Sequence, residues 1–394
     1  MHWISYNKLM EKIAINPSRL EWCLNAVQID INHLSVELKI AQKTLEQAME
    51  SKEVFSVNQL EKIANYFKRN LLFFLELEDP QEEEIYSLQF RTINNQKPIH
   101  SPKLRGFVEQ VEKQRQIYLE LLEDLGEITN NNWYPDNLNL NEDIKNISAN
   151  IRSWLGLAVS DNFSDMRDAI EQKGIMVILS NGYNGKWQID KKNPVRGFSL
   201  YYDVLPIIVI KKQASLGAQT FTLMHEFAHL LLHRESVIDN DEDFYNYQGK
   251  EKEANEFAGN LLIPDNFLNQ IDTEQLLRLE TQEYDSFLAD YRKLWSVSNR
   301  AILVRLLINE KISQYHYQNY VDYTEKQLKR ESSQVKSKPI PRTYRHREPM
   351  NVFGKPFVYA VFDSLHNKKI TLAKASTYLD NLKISDVRQL EQHV

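Results

Sequence analysis

The stretch FTLMHEFAHLLLH, residues 221–233, carries the pattern from which we interpret the rest of the chain. His225, Glu226 and His229 stand in a run of apolar residues that predicts one buried helix. Residues four apart on a helix are separated by about 40° around its axis, so both imidazoles reach one ion. Zinc suits such ligands and takes about four of them. Glu226 is then placed to take a proton from metal-bound water.

A catalytic zinc site also needs a third protein ligand, and we predict that this ligand is Glu253. It stands in KEKEANEFAGNLLIP, residues 250–264, which we expect to form a second helix with an apolar face. The intervening residues 234–250 are polar and predict a loop, so the second helix returns to the first. His233 is a rival ligand, but three histidines along two turns of one helix reach a single ion poorly.

The alternative interpretation is a core helix that carries its histidines by chance. Random matches to H-E-x-x-H occur in roughly one chain in a hundred of this size. A histidine on an apolar helix is also often a satisfied core residue. Unpaired polar groups in an apolar helix are costly, however, and a bound metal accounts for His225, Glu226 and His229 together. We therefore predict a zinc site.

Composition limits the class of protein. The chain has 394 residues, 42% of them hydrophobic, and a net charge of −6, which gives no general attraction to nucleic acid or membrane. Cys23 is the single cysteine, so an intramolecular disulfide and a cysteine-rich zinc site are excluded. We expect Cys23 to lie in a helical core. The first residues lack the pattern of a secretory signal, and no apolar run has the length of a membrane span, so we expect a cytoplasmic protein.

Helical periodicity dominates the chain, with one region of alternating residues before the motif. The predicted helices of the first 80 residues are 16–28, 31–40, 42–50 and 57–68. The predicted strands are IMVIL (175–179), KWQID (186–190), VRGFSLYY (195–202) and LPIIVI (205–210). LPIIVI precedes the motif helix, and as an exposed edge strand it is a candidate to hold an extended peptide by backbone pairing. Candidate donors to a reacting carbonyl are Arg196, Tyr201, Tyr202 and His233, although ordinary packing explains each of them.

The segments RGFSLYYDVLPIIVI, FTLMHEFAHLLLH and EANEFAGNLLIP, in this order, resemble the ImmA/IrrE family of zinc metallo-endopeptidases. The resemblance covers residues 150–310 well. It implies a zincin-like core in which His225, His229 and Glu253 bind zinc and Glu226 is the general base. It also implies a protein substrate, a transcriptional repressor that is cut at one place. The segment 288–307 resembles the helix-turn-helix unit that follows the core in this family, with Ser298 capping its second helix.

The N-terminal part resembles the Cro/repressor-like (XRE) helix-turn-helix, through HLSVELKIAQKTLEQAMES and the junction QFRT. Lys39 stands where this family favours glycine in the turn. The first 80 residues carry nine basic and eleven acidic residues, whereas DNA affinity rests mostly on basic ones. Gln42, Lys43 and Thr44 open the presumed recognition helix and are candidates to touch DNA. A helical protein-interaction module is an equal alternative.

Together these patterns predict an α+β, predominantly helical protein: a zincin-like core with a small sheet, flanked by helix-turn-helix-type domains. The predicted divisions are 1–80 (XRE-like), 81–143 (helical connector), 144–270 (peptidase core), 271–325 (helix-turn-helix-like), 326–347 (basic linker) and 348–394 (small C-terminal domain). The predicted function is zinc-dependent, site-specific cleavage of a regulatory protein. The alternatives are a DNA-binding regulator or antitoxin-like protein with a sensing or vestigial peptidase domain, and a toxin or phage-defence effector that acts by proteolysis.

Overall fold

The computed structural model describes residues 12–80, 101–127, 133–180, 187–213, 215–240, 248–331 and 342–394. The chain divides into two compact units, Met1–Glu112 and Lys113–Val394. The boundary lies within a long helix and inside the predicted connector, while the finer divisions of the sequence stay predictions. Among the described residues, no helix is both long enough and apolar enough to cross a membrane.

Short helices build the first unit, as the periodicity predicts. They are α1 (Pro17–Val27), α2 (Ile31–Leu38), α3 (Gln42–Met49) and α4 (Val57–Phe67), followed by a 3-10 turn (Leu72–Phe74) and α5 (Pro102–Leu125), which continues into the second unit. Asn16, Asp30 and Ser56 cap α1, α2 and α4 with their side chains. Cys23 is 3% exposed in the core of these helices, as expected. Burial raises the pKa of its thiol to about 12, so Cys23 is a packing residue and not a nucleophile.

The second unit surrounds a small sheet with helices. Its elements before the motif are α6 (Ile144–Leu155), α7 (Phe163–Glu171), β1 (Met176–Leu179), β2 (Val195–Leu200) and β3 (Ile207–Ile210). The next are α8 (Leu216–Ala228), a π-helical turn (His229–His233), β4 (Val237–Asn240) and α9 (Gly249–Leu262). The helices α10 (Asp265–Leu268), α11 (Thr273–Arg278), α12 (Tyr284–Phe287), α13 (Ala289–Trp295), α14 (Asn299–Ile308) and α15 (Gln314–Glu331) follow. The last are α16 (Glu348–Phe353), α17 (Lys355–His366), α18 (Leu372–Tyr378) and α19 (Ile384–Glu391). The α+β, predominantly helical class is confirmed.

The sheet has the order β1-β3-β2-β4. β3 pairs parallel with β1 and antiparallel with β2, and all four of its residues are buried. The prediction that LPIIVI is an exposed edge strand is therefore wrong, because both of its edges already have partners. The described part of KWQID, residues 187–190, contains no strand, while β4 was predicted as loop. β4 pairs antiparallel with β2 and forms one edge of the sheet.

The motif helix α8 lies in the centre of the second unit. It packs against β2 and β3 on one side and against α9 on the other, and α6 covers α9. Leu223, Phe227 and Phe257 are fully buried in this core. Ser298 caps α14 as predicted, accepting a hydrogen bond from the Ala301 N–H at 3.1 Å. This packing fixes α8 and α9 side by side, which is the arrangement that a shared site on the two helices requires.

The basic segment 326–347 lies partly outside the described residues. Its first part continues α15 to Glu331, and its last part is a 3-10 helix over Arg342–Arg347. The first residues of the predicted linker, 326–331, are therefore helical, because a hydrophilic sequence is still compatible with helical backbone. The junction QFRT, residues 89–92, also lies outside the described residues.

A buried ion pair within α7, next to the residues of α16, makes stability depend on pH. Arg167 Nε donates to Glu171 Oε1 at 2.8 Å, and the side chain of Glu171 is 3% exposed. A Cβ on Gly354 would lie 2.0 Å from Glu171 Oε1, so glycine is needed there. Burial raises the pKa of Glu171 to about 7 despite the opposing charge of Arg167. Glu171 therefore binds a proton more tightly in the folded state than in the unfolded state. This difference stabilises the fold at low pH, and its contribution to the free energy of unfolding is lost as pH rises from about 4.5 to above 7.

We expect Glu171→Gln to remove this dependence, since glutamine stays neutral and still accepts from Arg167. Thermal unfolding midpoints of both proteins between pH 5 and pH 8 measure it. Between pH 5 and pH 8 the free energy of unfolding of the wild type should fall by on the order of 3 kcal/mol relative to that of the variant. Parallel pH profiles for the two proteins would contradict the argument.

Candidate metal centre

The motif helix places its histidines in a fully buried position. Ser215 caps α8, accepting from the Ala218 N–H at 3.3 Å, and the helix continues through the π-helical turn until Arg234 ends it at φ +50°. His225, Glu226 and His229 are each 0% exposed. The single-helix placement predicted for these three residues is thus what the structure has.

β4 brings a carboxylate to the motif helix from the opposite direction. Asp239 pairs with Gly197 of β2, next to an irregularity of register between Val195 and Gly197. Its side chain is buried, and Oδ2 lies 3.4 Å from His225 Nε2 and 3.5 Å from His229 Nε2. Sequence reasoning missed Asp239 because VIDN is a very short strand inside a polar stretch. The two adjacent β-branched residues before the aspartate, Val237 and Ile238, were the one available signal.

α9 supplies a second carboxylate, from Glu251. Its Oε2 lies 3.3 Å from His225 Nε2 and 3.7 Å from His229 Nε2, and the two histidine nitrogens are 3.1 Å apart. His225, His229, Asp239 and Glu251 thus form one group whose ligand atoms all lie within 4.8 Å of one another. It is a concentrated set of nitrogen and oxygen donors in the protein interior.

Glu253, the predicted third ligand, lies outside this group. Its side chain is 53% exposed, and Oε2 is 3.1 Å from His233 Nε2. The reason lies in the geometry of α9. On a helical wheel Glu251 is about 50° from the centre of the apolar face and Glu253 about 110°. Glu251 therefore turns towards α8, whereas Glu253 stays at the surface. Both glutamates stand in the predicted helix, and their angles around its axis distinguish the inward-facing Glu251 from the surface residue Glu253.

His233, the rival ligand, forms an outer contact instead. Its Nδ1 is 3.0 Å from His229 Nδ1, and its Nε2 faces Glu253. One set of tautomers satisfies this whole chain. His229 donates from Nδ1 to His233 Nδ1, His233 donates from Nε2 to Glu253, and His229 Nε2 keeps its lone pair for a metal. Burial and the neighbouring His229 lower the pKa of His233, which favours the neutral form that this chain needs. Such outer partners orient a metal-binding histidine.

The electrostatics of the group favour a cation. Burial alone would lower the pKa of His225, but hydrogen bonds with Asp239 and Glu251 raise it to about 9. Burial would raise the pKa of Asp239 and of Glu251, yet the two histidines outweigh it and keep both pKa values below the usual range. Two ionised carboxylates therefore face the imidazoles.

Glu226 lies beside this group and not in it. Burial is the largest influence on its carboxyl and raises its pKa well above the usual range, and the charges of Asp239 and Glu251 add to the effect. A Cβ on Gly197 would lie 2.5 Å from Glu226 Oε1 and 2.9 Å from Thr222 Cγ2. Glycine at position 197 therefore makes the space that the Glu226 carboxyl occupies.

The other polar residues singled out in the sequence are engaged elsewhere. The Tyr201 hydroxyl donates to Asp203 Oδ1 at 3.2 Å, and the Tyr202 ring lies under the Arg115 guanidinium at 3.5 Å. Arg196 lines a cavity next to the motif helix. Neither tyrosine is placed with the buried donors, so packing accounts for both.

The donor set fits zinc. A tetrahedral ion with bonds of 2.0–2.1 Å to nitrogen and oxygen has ligand atoms about 3.3–3.4 Å apart. Five of the six separations within the group run from 3.1 to 3.7 Å, and all six lie within 4.8 Å. Imidazole and carboxylate are also ligands that zinc accepts. The residues present can therefore hold a zinc ion without a large rearrangement.

Comparison with protein families agrees with this geometry. Residues 170–307 match the model of the IrrE N-terminal-like domain, Peptidase_M78. The match contains the whole donor group and Glu226, so this part of the chain is a metallopeptidase-like domain with a candidate metal site. It does not extend over the first 80 residues. No curated protein matches the chain.

Proposed function

We propose that this protein is a zinc-dependent endopeptidase. The observation that carries the proposal is the placement of His225, His229 and Glu251 at tetrahedral spacing, with the buried Glu226 beside them. In such a site a bound zinc ion lowers the pKa of its water to about 7 and polarises the scissile carbonyl. The match to a metallopeptidase-like domain supports the same activity.

Each residue of the site has a role in this proposal. His225, His229 and Glu251 hold the ion, in place of the set with Glu253 that the family resemblance implies. Glu226 accepts the proton of the attacking water and passes it to the leaving amine. His233 and Glu253 orient His229 through its Nδ1. A catalytic site holds three protein donors and one water. Asp239 pairs with Gly197, the residue that makes space for the Glu226 carboxyl, so we infer that Asp239 is the donor that water replaces.

The substrate that we propose is a regulatory protein of the transcriptional repressor type, cut at one place. This part of the proposal rests on the resemblance of the three motif segments to ImmA/IrrE peptidases. A toxin or phage-defence effector would use the same residues and the same chemistry, and would differ only in the protein that is cut.

Metal content and proteolysis together test the function. Purified wild type should carry about one zinc per chain, and His225→Ala should carry none. Wild type should also generate new termini in a proteome-derived peptide library, read by mass spectrometry, and chelation should abolish them. Absence of metal after zinc is supplied would overturn the zinc site. Bound metal without any wild-type-specific cleavage would overturn the peptidase and leave the metal structural.

Gly197→Ala should lower proteolysis without removing the metal. The new Cβ would meet Glu226 Oε1 at 2.5 Å and the Val209 carbonyl oxygen at 3.0 Å, so the carboxyl must shift. A shift of about 1 Å in a catalytic group costs on the order of 100-fold in rate. Initial cleavage rates and zinc content measure the two effects. Equal rates in wild type and Gly197→Ala would contradict this role of the glycine.

DNA binding through the first unit is a second candidate. The observation that favours it is the pair α2 and α3, two eight-residue helices joined by only three residues, with Lys39 at φ +53° in the turn. Gln42 on α3 donates to Glu46 at 2.9 Å, which places an acid on the helix that would face DNA. Titration of the protein with its own promoter DNA, at two salt concentrations, tests the proposal. Sequence-specific binding that weakens steeply with salt and persists in Glu226→Gln would support it.

A further inference from the structure

A cavity of about 450 Å³ is lined by residues of α8, α9 and β2, the elements that also surround the proposed metal centre. Three secondary-structure elements line this cavity and also carry residues of the metal centre or its surroundings. α8 gives Phe221 one turn before His225, α9 gives Lys252 directly after Glu251, and β2 gives Arg196 directly before Gly197. The fourth wall is α14, through residues that include Arg300 and Val304. The volume lies within the range of about 300–1,000 Å³ that is usual for ligand sites.

The cavity combines apolar walls with a basic rim. Phe221, Val304 and Ile308 are among the apolar residues that line it, and the exposed area of Ile308 is 56%. Arg196, Lys252, Arg300 and Arg305 bring four positive charges, and Glu256 brings a negative one. Arg305 pairs with Asp265 at 2.8 Å, so its charge is compensated within the fold. Arg196, Lys252 and Arg300 are the other basic side chains of the lining, and Arg300 Nε donates to the Tyr317 hydroxyl at 3.1 Å.

Such a lining is complementary to an acidic side chain that stands next to an apolar one. We propose that this cavity recognises the peptide substrate on one side of the scissile bond, and that it selects a glutamate or aspartate flanked by an aliphatic residue. This inference rests on the proposed peptidase function and names the substrate class of that same site. It also assigns Arg196, Lys252 and Arg300 to specificity, and none of them to the chemical step.

The surroundings of α14 favour a peptide over DNA as the occupant. The segment 288–307 resembles a helix-turn-helix unit, in which the second helix would read bases with an exposed face. In the structure Asn299, Ile302, Leu303, Arg305 and Leu306 are buried, and the remaining residues up to Leu307 are partly buried. Ile308 is the exposed residue of this helix, and an isoleucine cannot read a base edge by hydrogen bonds. α14 is thus a wall of the cavity.

Peptide binding to zinc-loaded Glu226→Gln tests the proposal without cleavage during the measurement. The probes are fluorescent decapeptides of alternating leucine and glutamate, and of alternating leucine and glutamine. We expect the glutamate peptide to bind about tenfold more tightly at low salt, since two or three charge pairs of modest strength contribute. Adding Lys252→Gln and Arg300→Gln should remove most of that difference. Adding Arg278→Gln and Lys293→Gln instead, the same change of charge at exposed positions outside the cavity, should preserve it.

The outcomes separate this proposal from the proposed function. Equal binding of the two peptides, or a preference that survives Lys252→Gln with Arg300→Gln, would overturn the acidic specificity even if wild type cleaves peptides. A preference that depends on these two residues would support the cavity as a binding site even if wild type cleaves nothing. Competition by a single-stranded oligonucleotide, and none by the glutamate peptide, would identify the site as one for nucleic acid and overturn the proposal.

Discussion

Glu226→Gln should lower peptide cleavage by about 1,000-fold or more while zinc content stays at about one per chain, since general-base groups contribute 10²–10⁴ in rate. Glutamine keeps the size of the side chain and fits the space beside Gly197, but it cannot accept the proton of water. Initial rates with the best-cleaved library peptide and zinc analysis of the same samples measure both quantities.

The control for this variant is Glu274→Gln, which changes an exposed glutamate on α11 whose side chain is 86% exposed. It should have the activity of wild type. A Glu226→Gln protein that keeps a tenth or more of wild-type activity would contradict the role of Glu226 as the base. Loss of zinc in that variant would instead indicate that Glu226 acts in the metal shell.

Glu251→Ala and Glu253→Ala should differ sharply in zinc affinity, although the two glutamates are two residues apart on α9. The first removes an oxygen that lies 3.3 Å from His225 Nε2, so we expect zinc affinity to fall by at least about 1,000-fold. The second removes only the outer partner of His233, and the expected loss is about 10- to 100-fold. Competition of each protein with a zinc-binding dye measures the two affinities, with wild type as the reference.

Asp239→Ala extends this series. If water replaces Asp239 in the working site, this variant should keep zinc far better than Glu251→Ala does. A larger loss of zinc affinity in Glu253→Ala than in Glu251→Ala would restore the ligand set predicted from the sequence. It would also contradict the set that contains Glu251. Equal and complete loss in all three variants would indicate that the fold around α8 fails, which circular dichroism of each variant would detect.

The helix-based part of this site could be predicted because it depends on local periodicity. His225, Glu226 and His229 follow from a spacing of four on an apolar helix, and α1 to α4 follow from similar patterns. Glu251 was also within reach, since its angle to the apolar face of α9 can be read from the sequence. The prediction chose Glu253 because proximity in the chain to Ala254 was given more weight than direction around the helix.

Asp239 and the order of the strands lay beyond such patterns. Four residues, Val237–Asn240, are too few to show a period, and their strand forms because β2 offers a free edge. Likewise LPIIVI is as apolar as any buried strand, and its place between β1 and β2 depends on pairing with residues far away in sequence. Pairing of this kind is a property of the whole sheet, so no short window of sequence contains it.

All four donors lie between His225 and Glu251, on α8, β4 and α9. The centre therefore assembles by closing two short loops, and the entropy that each closure costs grows only slowly with its length. An ion held by His225, His229 and Glu251 would act as a local cross-link between α8 and α9, with β4 inside the stretch that this cross-link closes. Its removal should loosen this stretch first, so the amides of β4 would exchange with solvent well before those of α1 to α4. Metal supply would then also set the local stability of this stretch, independently of any reaction that the domain catalyses.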